Sequence, residues 1–178
     1  LVVDAPNVTI TGLGFAPSTS DPTNPVNGQG NLVFVDTTNF TLSNSVLDAN
    51  RANADTQAQP GTTATALFFY DPAPVVNGSN VITGSSITAF TVSNNLIGGT
   101  VLLANGTGYG TAAPGAASPS LLISGNTITK GLYGAVYLMG DLDATVPTGS
   151  LSDYDTGLPT MTGNNFVSNP FATNPSDS

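Results

Sequence analysis

Histidine, cysteine and tryptophan are absent from this chain, and lysine and arginine together number 2. Glutamate is missing as well, so every one of the 11 acidic residues is aspartate. Each absence removes a class of chemistry. Without His or Cys there is no Ser-His-Asp or Cys-His nucleophile system. Nor is there a disulfide framework, or a thiolate or imidazole ligand for a transition metal. With only Arg51 and Lys130 as bases, the formal net charge is −9. Such a chain repels the phosphates of nucleic acid and the headgroups of anionic membranes. No apolar run approaches the ~18 residues that cross a bilayer as a helix. The long polar side chains that favour helices are nearly missing too.

What is present is small and turn-forming. Glycine numbers 20 and proline 13 in 178 residues, the length of one domain. Apolar residues make up 39%, more than a disordered chain of this charge carries. The opening Leu1-Val2-Val3 reads as the middle of a repeat with no leader ahead of it. The expectation is a mature fragment or an excised region of a longer protein. Sparse charge with abundant Thr, Asn, Ser and Gly points to an extracellular or cell-surface setting.

One phrase recurs. Val3 to Phe15 aligns without a gap on Val35 to Leu47, an offset of 32 residues. Its centre is apolar, Ser or Thr, Gly or Asn, two variable positions, apolar. It returns at Val92 to Ile97, Ile123 to Ile128 and Met161 to Phe166. A unit repeated in this way cannot bury its apolar face alone and is stacked on its neighbours as a solenoid.

Each unit carries three strand segments. The first is a continuous apolar run: Leu1 to Val3, Leu32 to Val35, Leu67 to Tyr70, Val101 to Leu103 and Ala135 to Met139. The second alternates, which puts one face inside and one in water. Val8/Ile10, Phe40/Leu42, Phe90/Val92 and Leu121/Ile123 are predicted to point inward. Thr9/Thr11, Thr41/Ser43, Thr91/Ser93 and Thr160/Thr162 are predicted to point out. Gly12, Asn44, Asn94, Gly125 and Gly163 follow, residue types that tolerate the left-handed backbone of a sharp corner. The third segment begins with Phe15, Leu47, Ile97, Ile128 and Phe166. If homologous phrases superpose, Ile10, Leu42, Val92, Ile123 and Met161 form one column.

Three strands per turn, a tight Asn/Gly corner and stacked apolar columns resemble the right-handed parallel β-helix of the pectate-lyase-like superfamily. The resemblance covers most of the chain. It implies an all-β solenoid of about five coils, residues 1–168, with residues 169–178 as a C-terminal linker or cap. The corner residues Asn44, Asn94 or Asn95, Asn126 and Asn164 match that family's stacked-Asn turn. A sandwich of Thr-rich strands is the competing fold, and it does not require the register between the first two repeats.

Loop lengths shift along the chain. Ala16 to Asn31 and Asp48 to Ala66 are long connections between the third strand and the next first strand. Later the long loops lie between first and second strands: Asp71 to Ala89, Ala104 to Ser120 and Gly140 to Leu158. Neighbouring coils sit about 4.8 Å apart, so these loops are expected to pack as one lateral crest. The first strands show no alternation, notably Phe68-Phe69-Tyr70 and Val136-Tyr137-Leu138. Strands of that kind are covered on both faces. Either the long loops fold back over them or they are a packing surface for another domain or subunit.

Chemistry is sparse. The lyases of that superfamily use an Arg or Lys base, often with calcium on carboxylates. Here Arg51 and Lys130 fall in different coils, and the polygalacturonase pattern of clustered Asp with His and Arg-x-Lys is missing. No catalytic residue can be carried over, and the expectation is that the chain is not an enzyme. Asp141/Asp143 or Asp153/Asp155 are the one remaining acid–base arrangement for glycoside cleavage. The same four carboxylates, near the two ends of one long loop, are the candidate calcium ligands, and no other cofactor is expected. Solvated Asx turns account for them equally well. Asp4, Asp36 and Asp71 each end a first strand, where they either cap a turn or share a cation. Asn7, Asn39, Asn77 and Asn105 are sequons. Tyr109 and Tyr154 are candidate carbohydrate contacts, and the alternative is that they cover the first-strand sheet.

The expected function is a non-catalytic structural or adhesive β-helix module of a larger extracellular surface protein, filament or surface layer. Its expected partners are copies of itself, neighbouring domains of the same protein, or glycans, without nucleic acid or membrane insertion. A carbohydrate-binding or polysaccharide-degrading β-helix is the alternative. Ice binding, through the outward Thr rows, is a third reading.

Overall fold

A computed structural model of the chain describes residues 1–16, 32–49, 65–78, 82–113, 115–129, 134–139 and 156–167. Among them there is no helix. The first repeat holds β1 (Val2–Val3), β2 (Thr9–Thr11) and β3 (Gly14–Phe15), and the second β4 (Val33–Val35), β5 (Phe40–Ser43) and β6 (Val46–Asp48). In the third, β7 (Thr65–Tyr70) leads into a hairpin of β8 (Val75–Val76) and β9 (Ile82–Gly84), then β10 (Phe90–Ser93) and β11 (Leu96–Gly98). The fourth holds β12 (Thr100–Ala104), β13 (Ala117–Ser124) and β14 (Thr127–Thr129), and the fifth β15 (Val136–Leu138), β16 (Leu158–Thr162) and β17 (Asn165–Val167).

Equivalent strands of successive repeats pair in parallel. This gives three 5-stranded sheets, β1-β4-β7-β12-β15, β2-β5-β10-β13-β16 and β3-β6-β11-β14-β17, with the antiparallel β8-β9 pair outside them. The chain is therefore a parallel β-solenoid. Ile10, Leu42, Val92, Ile123 and Met161 stand in one column, as the repeat requires. Val3, Val35, Phe69, Leu103 and Leu138 form the matching column of the first sheet. Phe15, Leu47, Ile97, Ile128 and Phe166 form that of the third.

The columns converge on one core. Phe40, Leu42, Leu47, Phe69, Phe90, Val92, Ile97, Leu103, Leu121, Ile123 and Ile128 are fully buried in it. Each such side chain contributes roughly 1.5–3 kcal/mol by leaving water. Phe69 reaches across from the first sheet to the second. Its ring is stacked on Phe90 at 4.2 Å and meets Phe40 edge-on at 6.0 Å. The expectation of about five coils overcounts the enclosed solenoid, which amounts to about three turns. The outer strands of each sheet have a neighbour on one side only. Val8, Ile10 and Phe15 are thus only partly buried, and Met161 and Phe166 are about half exposed, at 50% and 52%.

The corner after each second strand is the sharpest feature of the backbone. Gly12, Asn44, Asn94, Gly125 and Gly163 all have positive φ, between 50° and 69°. A branched side chain there would meet the backbone, and Gly and Asn avoid the penalty. The stacked-Asn turn lies one residue further on. Asn95, Asn126 and Asn164 form it, and Ser45 continues it where Asn44 was the candidate. Asn44 and Asn94 hold the left-handed position instead.

Candidate functional site

The long loops of the third and fourth repeats do pack together on one side of the solenoid, and Asp71 fastens them. Its side chain is fully buried at the end of β7. Oδ1 accepts from the Ala73 N–H at 2.9 Å and from the Ser86 hydroxyl. Oδ2 accepts from the Ser86 N–H at 2.7 Å and the Ser85 hydroxyl at 2.7 Å. Charge-assisted bonds of this kind are the strong ones, and together they clamp the two ends of the β8–β9 arm. Replacing Asp71 by alanine strands these donors. The expected result is a loss of roughly 2–3 kcal/mol in urea denaturation, with the first tryptic-independent cuts, for example by thermolysin, appearing between residues 72 and 86.

Asp71 does not share a file with Asp4 and Asp36. Val35 pairs with Phe69, so Asp36 stands beside Tyr70 and Asp71 falls one position later. It caps its turn through backbone N–H groups. Asp36 Oδ1 is buried without a partner among the described residues, and Asp4 is exposed.

A second loop completes the crest. Asn105 to Gly110 is a chain of turns with positive φ at Asn105, Gly106, Gly108 and Gly110. Gly108 is held on both sides: its N–H donates to Ile87 O at 3.0 Å and to Ser85 Oγ at 2.9 Å. A Cβ there would stand 2.1 Å from Leu121 Cδ1, so any other residue would have to displace a buried core side chain as well as adopt a positive φ. The Gly157 N–H donates to Thr107 O at 2.8 Å, which ties the end of the third long loop to the crest.

Between the β8–β9 arm, this Gly-rich turn and the start of β13 lies an open cleft of about 490 Å³. Tyr109, half-buried, stands on its rim, with Thr83, Ser85, Thr88, Thr111 and Ser120 around it. None of the lining side chains carries a charge. The arm and the cleft were not foreseen in the sequence. The run Asp71 to Ala89, with Pro72 and Pro74, gave only a loop signal. Tyr109 between two glycines was the part that could be seen.

The other candidate residues lie apart. Asp141, Asp143, Asp153, Asp155 and Tyr154 fall outside the described residues, as do Arg51, Lys130 and the segment 169–178. Among the described residues, no group of His, Cys, Asp and Glu is placed to hold a metal. Asn7 and Asn39 are exposed, and the Asn39 Nδ2 donates to Asn7 Oδ1 at 3.1 Å. Asn77 is exposed just after β8. Asn105 is half-buried, and its Nδ2, the atom a glycan would use, donates to Asp71 O.

Two outer surfaces are regular. On the second sheet Thr9, Thr41, Thr91, Leu122 and Thr160 form one file, and Thr11, Ser43, Ser93, Ser124 and Thr162 another. On the first sheet the outward file is apolar: Val2, Phe34, Phe68, Leu102 and Tyr137. Phe34, Phe68 and Tyr70 pack ring against ring at 5.4–6.2 Å. Leu102 is buried, while Val2, Tyr70 and Met139 remain exposed. The first sheet is thus covered in its middle and open at its margins.

Among the described residues no helix is long and apolar enough to cross a membrane. Comparison with protein-family models, curated proteins and solved structures gives no match.

Proposed function

We propose that this chain is a non-catalytic structural or adhesive module of an extracellular surface protein, built like the non-catalytic members of the right-handed parallel β-helix superfamily. The observation that carries this reading is the apolar file on the outside of the first sheet. It follows the strand register from Val2 through Phe34, Phe68 and Leu102 to Tyr137. Parallel sheets are ordinarily covered on both faces. A rigid solenoid wall with its apolar margins in water is a contact surface for a second protein surface, either a neighbouring domain or another copy. The near-absence of positive charge and the absence of His and Cys are consistent with a passive role.

Two measurements test it. Light scattering and electron microscopy of the purified chain are expected to show concentration-dependent association that is lost in the double variant Val2→Asp, Tyr70→Asp. Incubation with a polysaccharide panel is expected to release no new ends. Depolymerisation by the purified chain would defeat the non-catalytic reading, and unchanged association of the double variant would defeat the role of the strip.

A further inference from the structure

The cleft on the lateral crest is independent of the apolar strip, and its chemistry is selective. Thr83 Oγ1 donates its one proton to Val75 O at 3.1 Å, and Thr111 Oγ1 donates to Gly108 O at 2.7 Å. Ser85 Oγ is spent on Asp71, Ile87 and Gly108. The Thr83 and Thr111 oxygens therefore face outward with acceptor lone pairs and no proton to give. At these two positions a ligand must supply the donors. A cation finds no free carboxylate in the lining, and Asp71, which Ser85 bonds, is fully buried with both oxygens taken. An anion meets no cation in the lining and a net charge of −9 beyond it.

Tyr109 adds an aromatic face. The turn that presents it is fixed at several points. The Tyr109 N–H donates to Gly106 O at 2.9 Å and the Thr111 N–H to Gly108 O at 3.2 Å. Gly108 is anchored against Leu121 and Ile87. A turn held this firmly loses little backbone freedom on binding.

We propose that this cleft binds an uncharged, hydroxyl-rich oligosaccharide, with one sugar ring laid on Tyr109 and its hydroxyls donating to Thr83 and Thr111. The open form suits a chain that runs through rather than a ligand enclosed on all sides.

The test is calorimetric titration of the full chain with three sets of oligosaccharides: neutral (β-1,4-glucan, xylan and mannan oligomers), anionic (oligogalacturonate) and cationic (chitosan oligomers). At least one neutral oligomer is expected to bind, with no binding of the charged sets. Tyr109→Phe retains affinity and Tyr109→Ala weakens it about tenfold, the equivalent of one aromatic stacking contact. Because Tyr109→Ala could disturb the turn, Thr88→Arg provides a second arm. Thr88 is exposed at the cleft edge, so this variant is expected to keep the wild-type circular dichroism and lose binding. Failure of every neutral oligomer at millimolar concentration overturns the proposal. So does preference for a charged set, or equal affinity of wild type, Tyr109→Ala and Thr88→Arg.

Discussion

Replacing Asn126 by leucine is expected to lower the unfolding free energy by about 3–5 kcal/mol, one of the two largest single-residue effects in the molecule. The side chain is 1% exposed and occupies the middle of the asparagine ladder. Its Nδ2 donates to Val92 O at 2.9 Å and to Asn164 Oδ1 at 3.0 Å. Its Oδ1 accepts from the Asn95 N–H and the Asn95 Nδ2, both at 2.9 Å. Leucine has the same branching and number of side-chain heavy atoms and is somewhat larger, so the loss is not a cavity. It is the loss of a partner for the Asn95 N–H, for one proton of the Asn95 amide (the other keeps Leu42 O at 3.1 Å) and for the Val92 carbonyl, in a place water does not reach. Each stranded group costs about 1–3 kcal/mol before relaxation. Urea denaturation checks the size, and an unchanged β-rich circular dichroism spectrum shows that the fold survives. Asn164→Leu, at the half-buried end of the ladder, is expected to lose less. A cost for Asn126→Leu below about 1 kcal/mol would show that the ladder contributes little beyond ordinary backbone pairing.

The ladder also shows what the sequence could and could not reveal. The corner was legible, because a left-handed residue after every alternating strand leaves Gly or Asn in the text, and all five such positions have positive φ. Which asparagine stacks was not legible. Asn94 and Asn95 are adjacent and chemically identical, and only the geometry of the turn sends one outward and the other into the stack. At Asn44 the same ambiguity pointed to the wrong residue, because Ser45, a poorer cue, holds the stacked place and donates its N–H to Asn95 Oδ1. Asp71 was displaced for a related reason. Tyr70 lengthens the first strand of its repeat by one residue, and a shift of one exchanges inside for outside. Met161 kept its column and lost its burial, since periodicity specifies direction and says nothing of whether a neighbour follows. The cleft was the least legible of all. It is made by residues from three separate segments, and no spacing within any one of them encodes the other two.

Phe69→Ala is the second large effect, about 3–5 kcal/mol, and its value lies in comparison with Phe68→Ala, expected at about 1–2 kcal/mol. The two residues are neighbours in one apolar run, of the same type and on the same strand, and composition alone cannot separate them. Phe69 points into the core between Phe40 and Phe90 and is fully buried. Its removal forfeits the transfer energy of a whole ring and leaves a cavity that two sheets cannot close. Phe68 points outward and is half-buried, touching Phe34 at 5.4 Å and Tyr70 at 5.9 Å. Its removal forfeits part of the area and two ring contacts, with solvent able to refill the space. Thermal or urea denaturation of both variants reads the difference directly. Equal, large losses would mean that the outer strip is already sealed within a single chain, and the strip would then be unavailable to a partner. A small loss at Phe68 beside a large one at Phe69 leaves the outer wall as a surface held in place by the core and free to make its contacts elsewhere.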